Sequence, residues 1–83
     1  MNNEEVSKKY YMSEFELFDG EYFIIFNIID VDMDKQRIRV AVSNTGKISV
    51  IEFDLKLDYN GQLYFEYGVM CERVVLDDFE EVA

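Results

Sequence analysis

The chain is 83 residues long, with eighteen Asp and Glu against eight Lys and Arg, no histidine, and a formal charge of −10. At this length it makes one domain, residues 1–83, near the size at which a single core becomes marginal. A disordered acidic tail is excluded, because 49% of the residues are hydrophobic and seven Phe and six Tyr supply apolar area to bury.

Residues 1–10 read as a short helix. Asn2 or Asn3 caps it, Glu4 and Glu5 sit in its first turn, and Lys8 and Lys9 sit in its last. Val6 and Tyr10 share its inner side, and a helix this short must dock or fray. In Glu14–Phe18, Phe15 and Leu17 alternate with Glu14 and Glu16, the pattern of a half-buried strand. Tyr22–Ile29 is apolar on both faces. Tyr22, Ile24, Phe26 and Ile28 line one side and Phe23, Ile25 and Ile29 the other, so the second side needs a cover. Barrel curvature, the N-terminal segment or another copy of the chain would each serve.

Asp30-Val-Asp32-Met-Asp34 begins like a calcium loop, but Lys35 stands where the sharp turn needs glycine and Ala41 where a bidentate Glu is required. It reads as a solvated turn. In Gln36–Ser43, Ile38, Val40 and Val42 oppose Arg37 and Arg39. Asn44-Thr-Gly46 fits a three-residue hairpin loop with left-handed glycine. In Lys47–Leu57, Ile51, Phe53, Leu55 and Leu57 share a face opposite Glu52, Asp54 and Lys56. Asn60-Gly61 is the strongest hairpin signal, for a type I′ turn with positive φ at both residues. Leu63, Phe65 and Tyr67 then alternate with Tyr64 and Glu66, and Cys71, among Val69, Met70, Val74 and Val75, reads as a buried apolar residue. Arg73–Leu76 is a strand, and Asp77-Asp-Phe-Glu80 a capped helical turn that opens an acidic segment, 77–83. The expected fold is mainly β: a five- to six-stranded antiparallel meander over residues 11–76, or a partly open barrel, with short helical segments at both ends.

These residues carry no catalytic signature. One Cys and no His cannot form a normal structural zinc site, and nucleophilic triads lack their base. Dinucleotide and P-loop fingerprints are absent, so no enzyme, cofactor or metal is expected. Exposed Tyr10, Tyr11, Tyr59 and Tyr64 could stack on bases, but the charge opposes direct nucleic-acid binding. The N-terminus has no apolar signal region, and the longest apolar run, Tyr22–Phe26, is too short to cross a membrane, so a cytoplasmic protein is expected.

The acids themselves suggest a function. Glu52 and Asp54 lie two apart on one strand, as do Glu14 and Glu16, and alternate strand residues stand ~6.6 Å apart, comparable to neighbouring phosphates. Glu72–Glu81 adds Glu72, Asp77, Asp78, Glu80 and Glu81 against Arg73 alone. The size, the charge, the lack of histidine and the closing stretches Leu63-Tyr-Phe-Glu-Tyr-Gly68 and Glu72-Arg-Val-Val-Leu-Asp-Asp-Phe-Glu80 make the chain resemble the small acidic anti-CRISPR and anti-restriction proteins of phages and mobile elements. That resemblance implies an inhibitor occupying the basic nucleic-acid groove of a defence nuclease in the host cytoplasm. The expected contacts are Glu52, Asp54, Tyr64, Asp77, Asp78, Glu80 and Glu81. The alternative is a homodimeric structural or regulatory module, with a self-interface at Phe18, Tyr22, Ile24 and Phe26.

Overall fold

A computed structural model describes residues 3–82. In chain order they form helix α1 (Asn3–Tyr10), strands β1 (Glu14–Phe18), β2 (Phe23–Asp32), β3 (Arg37–Asn44), β4 (Lys47–Asp54), β5 (Lys56–Leu57), β6 (Leu63–Tyr67) and β7 (Glu72–Val75), and a 3-10 turn, Leu76–Asp78. The strands make two antiparallel sheets, ordered β1-β2-β3-β4 and β5-β6-β7. The fold is therefore mainly β and antiparallel, with helical segments at both ends. It has seven strands in two sheets where five or six were expected, and it is not a closed barrel.

Leu55 is the reason for the division. It is buried, and its N–H donates to the Gln36 carbonyl at 2.9 Å, which bends the chain between β4 and β5. Lys56 and Leu57 then pair with Tyr64 and Leu63 in the second sheet. Leu57, expected on the inward face with Ile51, Phe53 and Leu55, ends up 64% exposed. On the opposite side the sheets are tied by Glu14 and Glu80, which exchange backbone hydrogen bonds of 2.8 and 2.9 Å.

The core lies between the sheets. Ile24, Phe26 and Ile28 of β2 and Ile38, Val40 and Val42 of β3 are all buried, as their alternation requires. The register slips between Ile28, opposite Val40, and Asp30, opposite Arg39, so that Val31 falls opposite Ile38. This bulge lets Ile28 and Val31, three residues apart, face the same core. Phe65 fills the centre, stacked on Phe53 at 4.7 Å and edge-on to Phe26 at 5.8 Å between ring centroids.

Helix α1 docks rather than frays. Val6 joins the core, and the Ser7 hydroxyl both donates to the Val31 carbonyl at 2.8 Å and accepts from its N–H at 3.0 Å. The Asn3 amide donates to Asp32 and Asp34, and its carbonyl oxygen accepts the Met33 N–H at 2.6 Å. Asn3 thus binds the helix to the β2–β3 turn; Asn2, the other expected cap, lies outside the described residues. Because the helix packs on the core side, the second apolar side of β2 is only partly covered: Phe23 is 58% exposed, while Ile25 and Ile29 are half-buried.

Two turns exchange their expected roles. Thr45 (φ 50°) and Gly46 (φ 81°) both lie in the left-handed region between the paired residues Asn44 and Lys47, so the type I′ geometry is here. At Asn60-Gly61 only the glycine has positive φ. A wider loop forms instead, because the Asp58 carboxylate accepts the N–H groups of Asn60 and Gln62 at 2.8 and 2.9 Å. Cys71 is likewise corrected from buried to exposed. It has φ 51° in the β6–β7 turn, where Val69 and Met70 also face solvent.

Candidate functional site

The C-terminal segment is pinned by two buried side chains, Leu76 and Phe79. Phe79 packs its ring 5.4 Å from that of Phe15 on β1. Between these anchors the 3-10 turn leaves Asp77 and Asp78 exposed, and beyond them Glu80 pairs with Glu14. Glu14 and Glu16, two apart, project from the same face of β1. The result is an open cleft of about 580 Å³ lined by Glu14, Glu16, Asp78, Glu80 and Glu81, with Phe15 and Val82 as apolar floor and wall. No Lys or Arg lines it. A concave surface of one sign concentrates its field outward and attracts cations or basic protein surfaces.

Asp77 faces away from this group. It accepts the Tyr10 hydroxyl at 2.5 Å. Burial, then the hydrogen bond to Asp77 and its negative charge, push the Tyr10 hydroxyl up to about 12. Asp77 therefore ties helix α1 to the C-terminal turn.

The other expected contact residues lie elsewhere. On β4, Glu52 accepts Arg37 Nε at 3.0 Å and Asp54 accepts Arg37 Nη1, so one guanidinium serves both acids. The hydrogen bond it donates to Glu52 is the main reason Arg37 holds its proton above the usual arginine range, and the neighbouring charges add to it. Strands β1 and β4 are opposite edges of their sheet, so this pair stands apart from the cleft. Tyr64 lies in the second sheet with the Arg73 guanidinium 4.2 Å above its ring, which occupies the aromatic face expected to anchor a partner. Asp78, Glu80 and Glu81 are brought together; Glu52, Asp54, Tyr64 and Asp77 are not part of that group. Glu14 and Glu16 complete the cleft, and their shared face was legible from alternation although the pairing with Glu80 was not.

Of the expected self-interface, Phe18 and Tyr22 are on the surface, while Ile24 and Phe26 are consumed by the core. Asp32 and Asp34 accept from protein donors, the Asn3 amide for both and the Lys35 N–H for Asp32, and Asp30 lies 3.2 Å from the Ser7 hydroxyl, whose proton goes chiefly to Val31. Among the described residues no group of three or more His, Cys, Asp or Glu could hold a metal ion, and no helix is long and apolar enough to cross a membrane. Comparison with protein-family models, curated proteins and solved structures found no match.

Proposed function

We propose that the chain acts by contact, as an acidic inhibitor of the anti-CRISPR or anti-restriction type whose C-terminal cleft takes the place of a nucleic-acid strand in the basic groove of a defence nuclease. The observation that carries this reading is the cleft itself: five carboxylates around one concavity with no basic side chain among them. A groove built for phosphates gains affinity by neutralising fixed negative charge, and carboxylates on a strand and a pinned turn offer such charge in a fixed arrangement. The net charge of −10 speeds the encounter with any basic surface. No catalytic step is required of the protein.

The test is capture of partners from lysate on the tagged chain, repeated with excess duplex DNA or guide RNA and over a salt series. The reading expects a nucleic-acid-binding enzyme that is released by both competitors. A variant carrying Glu14→Gln, Glu16→Gln, Asp78→Asn, Glu80→Gln and Glu81→Gln should lose that partner while its circular dichroism spectrum is unchanged. Retention by the variant, or a partner indifferent to both salt and nucleic acid, refutes the assignment.

A further inference from the structure

We propose that the open end between the two sheets is a binding site for a small aromatic amine, whose ring enters the apolar interior and whose ammonium meets the acids at the mouth. The strand registers define this end. Leu17 of β1, Ile24 of β2 and Asn44 of β3 form the last core-facing row of the four-stranded sheet. In the row before it, Phe26 is covered by Phe65 and Tyr67 of the second sheet, whose rings lie 5.8 and 4.9 Å from its own. Beyond Tyr67 that sheet reverses through a turn with positive φ at Gly68 and Cys71, closed by the Cys71 N–H donating to the Gly68 carbonyl at 3.1 Å. Between this turn and the last row lies a half-open pocket of about 410 Å³, walled by Leu17, Ile24, Tyr67, Val69 and Met70. Its volume falls within the range of about 300–1,000 Å³ usual for small-molecule sites.

The polar side chains of the pocket select its occupant. Asn44 continues the core-facing series Ile38, Val40 and Val42, at a position where alternation calls for another apolar residue. Its carboxamide oxygen is buried and accepts no hydrogen bond. A buried acceptor without a donor is costly, and a donor carried by a bound molecule removes that cost. Asp19 stands exposed at the mouth. Its carboxylate is fixed by the N–H groups of Tyr22 and Glu21, at 2.7 and 2.9 Å, and these bonds keep its pKa below the ordinary value. Glu72, opposite Tyr67 in the β6–β7 register, is exposed beside it in the lining. No Lys or Arg among the described residues lines the pocket. An anion is repelled here, and a purely apolar molecule leaves the Asn44 oxygen unpaired. An ammonium supplies donors to Asn44 and charge to Asp19 and Glu72. The Tyr67 ring, set edge-on to Phe26, favours an aromatic body behind that ammonium. This pocket shares no lining residue with the acidic cleft, so the inference stands apart from the proposed inhibition.

The experiment is a heteronuclear NMR titration of the full chain with tryptamine, compared with indolepropionate, which keeps the ring and reverses the charge, and butylamine, which keeps the charge and lacks the ring. Tryptamine should shift the Asn44 side-chain amide and the backbone amides of Gly68, Val69 and Met70, and should bind about tenfold or more tighter than either comparison compound. Asn44→Leu should weaken tryptamine about tenfold, the loss of a hydrogen bond to a charged group. It should not lower the urea midpoint, because an apolar side chain replaces an unpaired polar one. Glu72→Gln, at an exposed position, should weaken tryptamine about threefold. Glu4→Gln, on helix α1, should leave its affinity unchanged. Butylamine binding as well as tryptamine would reduce the site to attraction by the net charge, and indolepropionate binding as well would reduce it to an apolar patch. Either result overturns the proposal, as does full affinity in Asn44→Leu. Shifts confined to the acidic cleft, or none at millimolar tryptamine, overturn it equally. So do shifts at Gly68, Val69 and Met70 that grow with protein concentration alone, which would seat a second copy at this end instead.

Discussion

Two acidic regions of this molecule differ in how far their charge is neutralised. In the C-terminal cleft, Glu14, Glu16, Asp78, Glu80 and Glu81 share a concavity without a base. On β4, Glu52 and Asp54 share the guanidinium of Arg37, which the β3–β4 register places directly opposite Asp54. The difference comes from pairing, not from composition. Alternation fixed both pairs of acids on their strands, but the neighbouring strand decided whether a cation or another acid stood beside them. A count of carboxylates along a sequence therefore overstates the surface able to attract a basic partner.

The comparison is broken most severely at Phe79. Its ring holds the C-terminal segment against Phe15 and lies 6.4 Å from Phe65. Phe79→Ala should cost about 3–5 kcal/mol, the usual loss for a buried phenylalanine. It should also free the segment carrying Asp78, Glu80 and Glu81, so that hydrogen-exchange protection of the Glu14 and Glu80 amides falls further than that of the β2–β3 amides. Equal loss across both would mean that the cleft is not a separately anchored unit.

Charge substitutions sharpen the contrast through their signs. Arg37→Gln leaves Glu52 and Asp54 as adjacent unpaired acids and should lower the urea midpoint, more at low salt than at high salt. Glu16→Gln with Glu81→Gln relieves like-charge crowding in the cleft and should raise the urea midpoint slightly at low salt. If both variants moved stability in the same direction, the two regions would not differ as described.

The sequence conveyed the parts of the fold that depend on local alternation. Ile38, Val40 and Val42 are buried and Phe15 and Leu17 half-buried, as their spacing required. It misplaced Leu57 and Cys71 because each depends on a break in pairing: one on the bend at Leu55, the other on a turn that ejects Val69 and Met70 with it. The exchange of turn types has the same origin. Asp58 captures the loop around Asn60 with its own carboxylate, a contest between side chain and backbone that a dipeptide signal does not record. For the candidate site, Asp78, Glu80 and Glu81 were legible as a charged segment. The contribution of Glu14 and Glu16 was not, because it rests on a backbone bridge between opposite ends of the chain.

A pH-dependent effect concerns the residue that joins those ends from the other side. Tyr10 reaches from helix α1 to Asp77 and holds its proton up to about 12, against an ordinary 10. A folded pKa above the unfolded one means that the neutral hydroxyl is favoured by the fold, so unfolding releases this proton at alkaline pH. The stabilisation is complete below pH 10 and is lost as pH rises from there to about 12. Tyr10→Phe should remove this alkaline slope from the urea midpoint and leave the midpoint's response to pH below 10 unchanged. Alkaline loosening traced to Tyr10 would weaken the attachment of the C-terminal turn to the helix. Persistence of the full slope in Tyr10→Phe would place the alkaline weakness in another tyrosine or in a lysine, and remove Tyr10 from the account of how the segment is held.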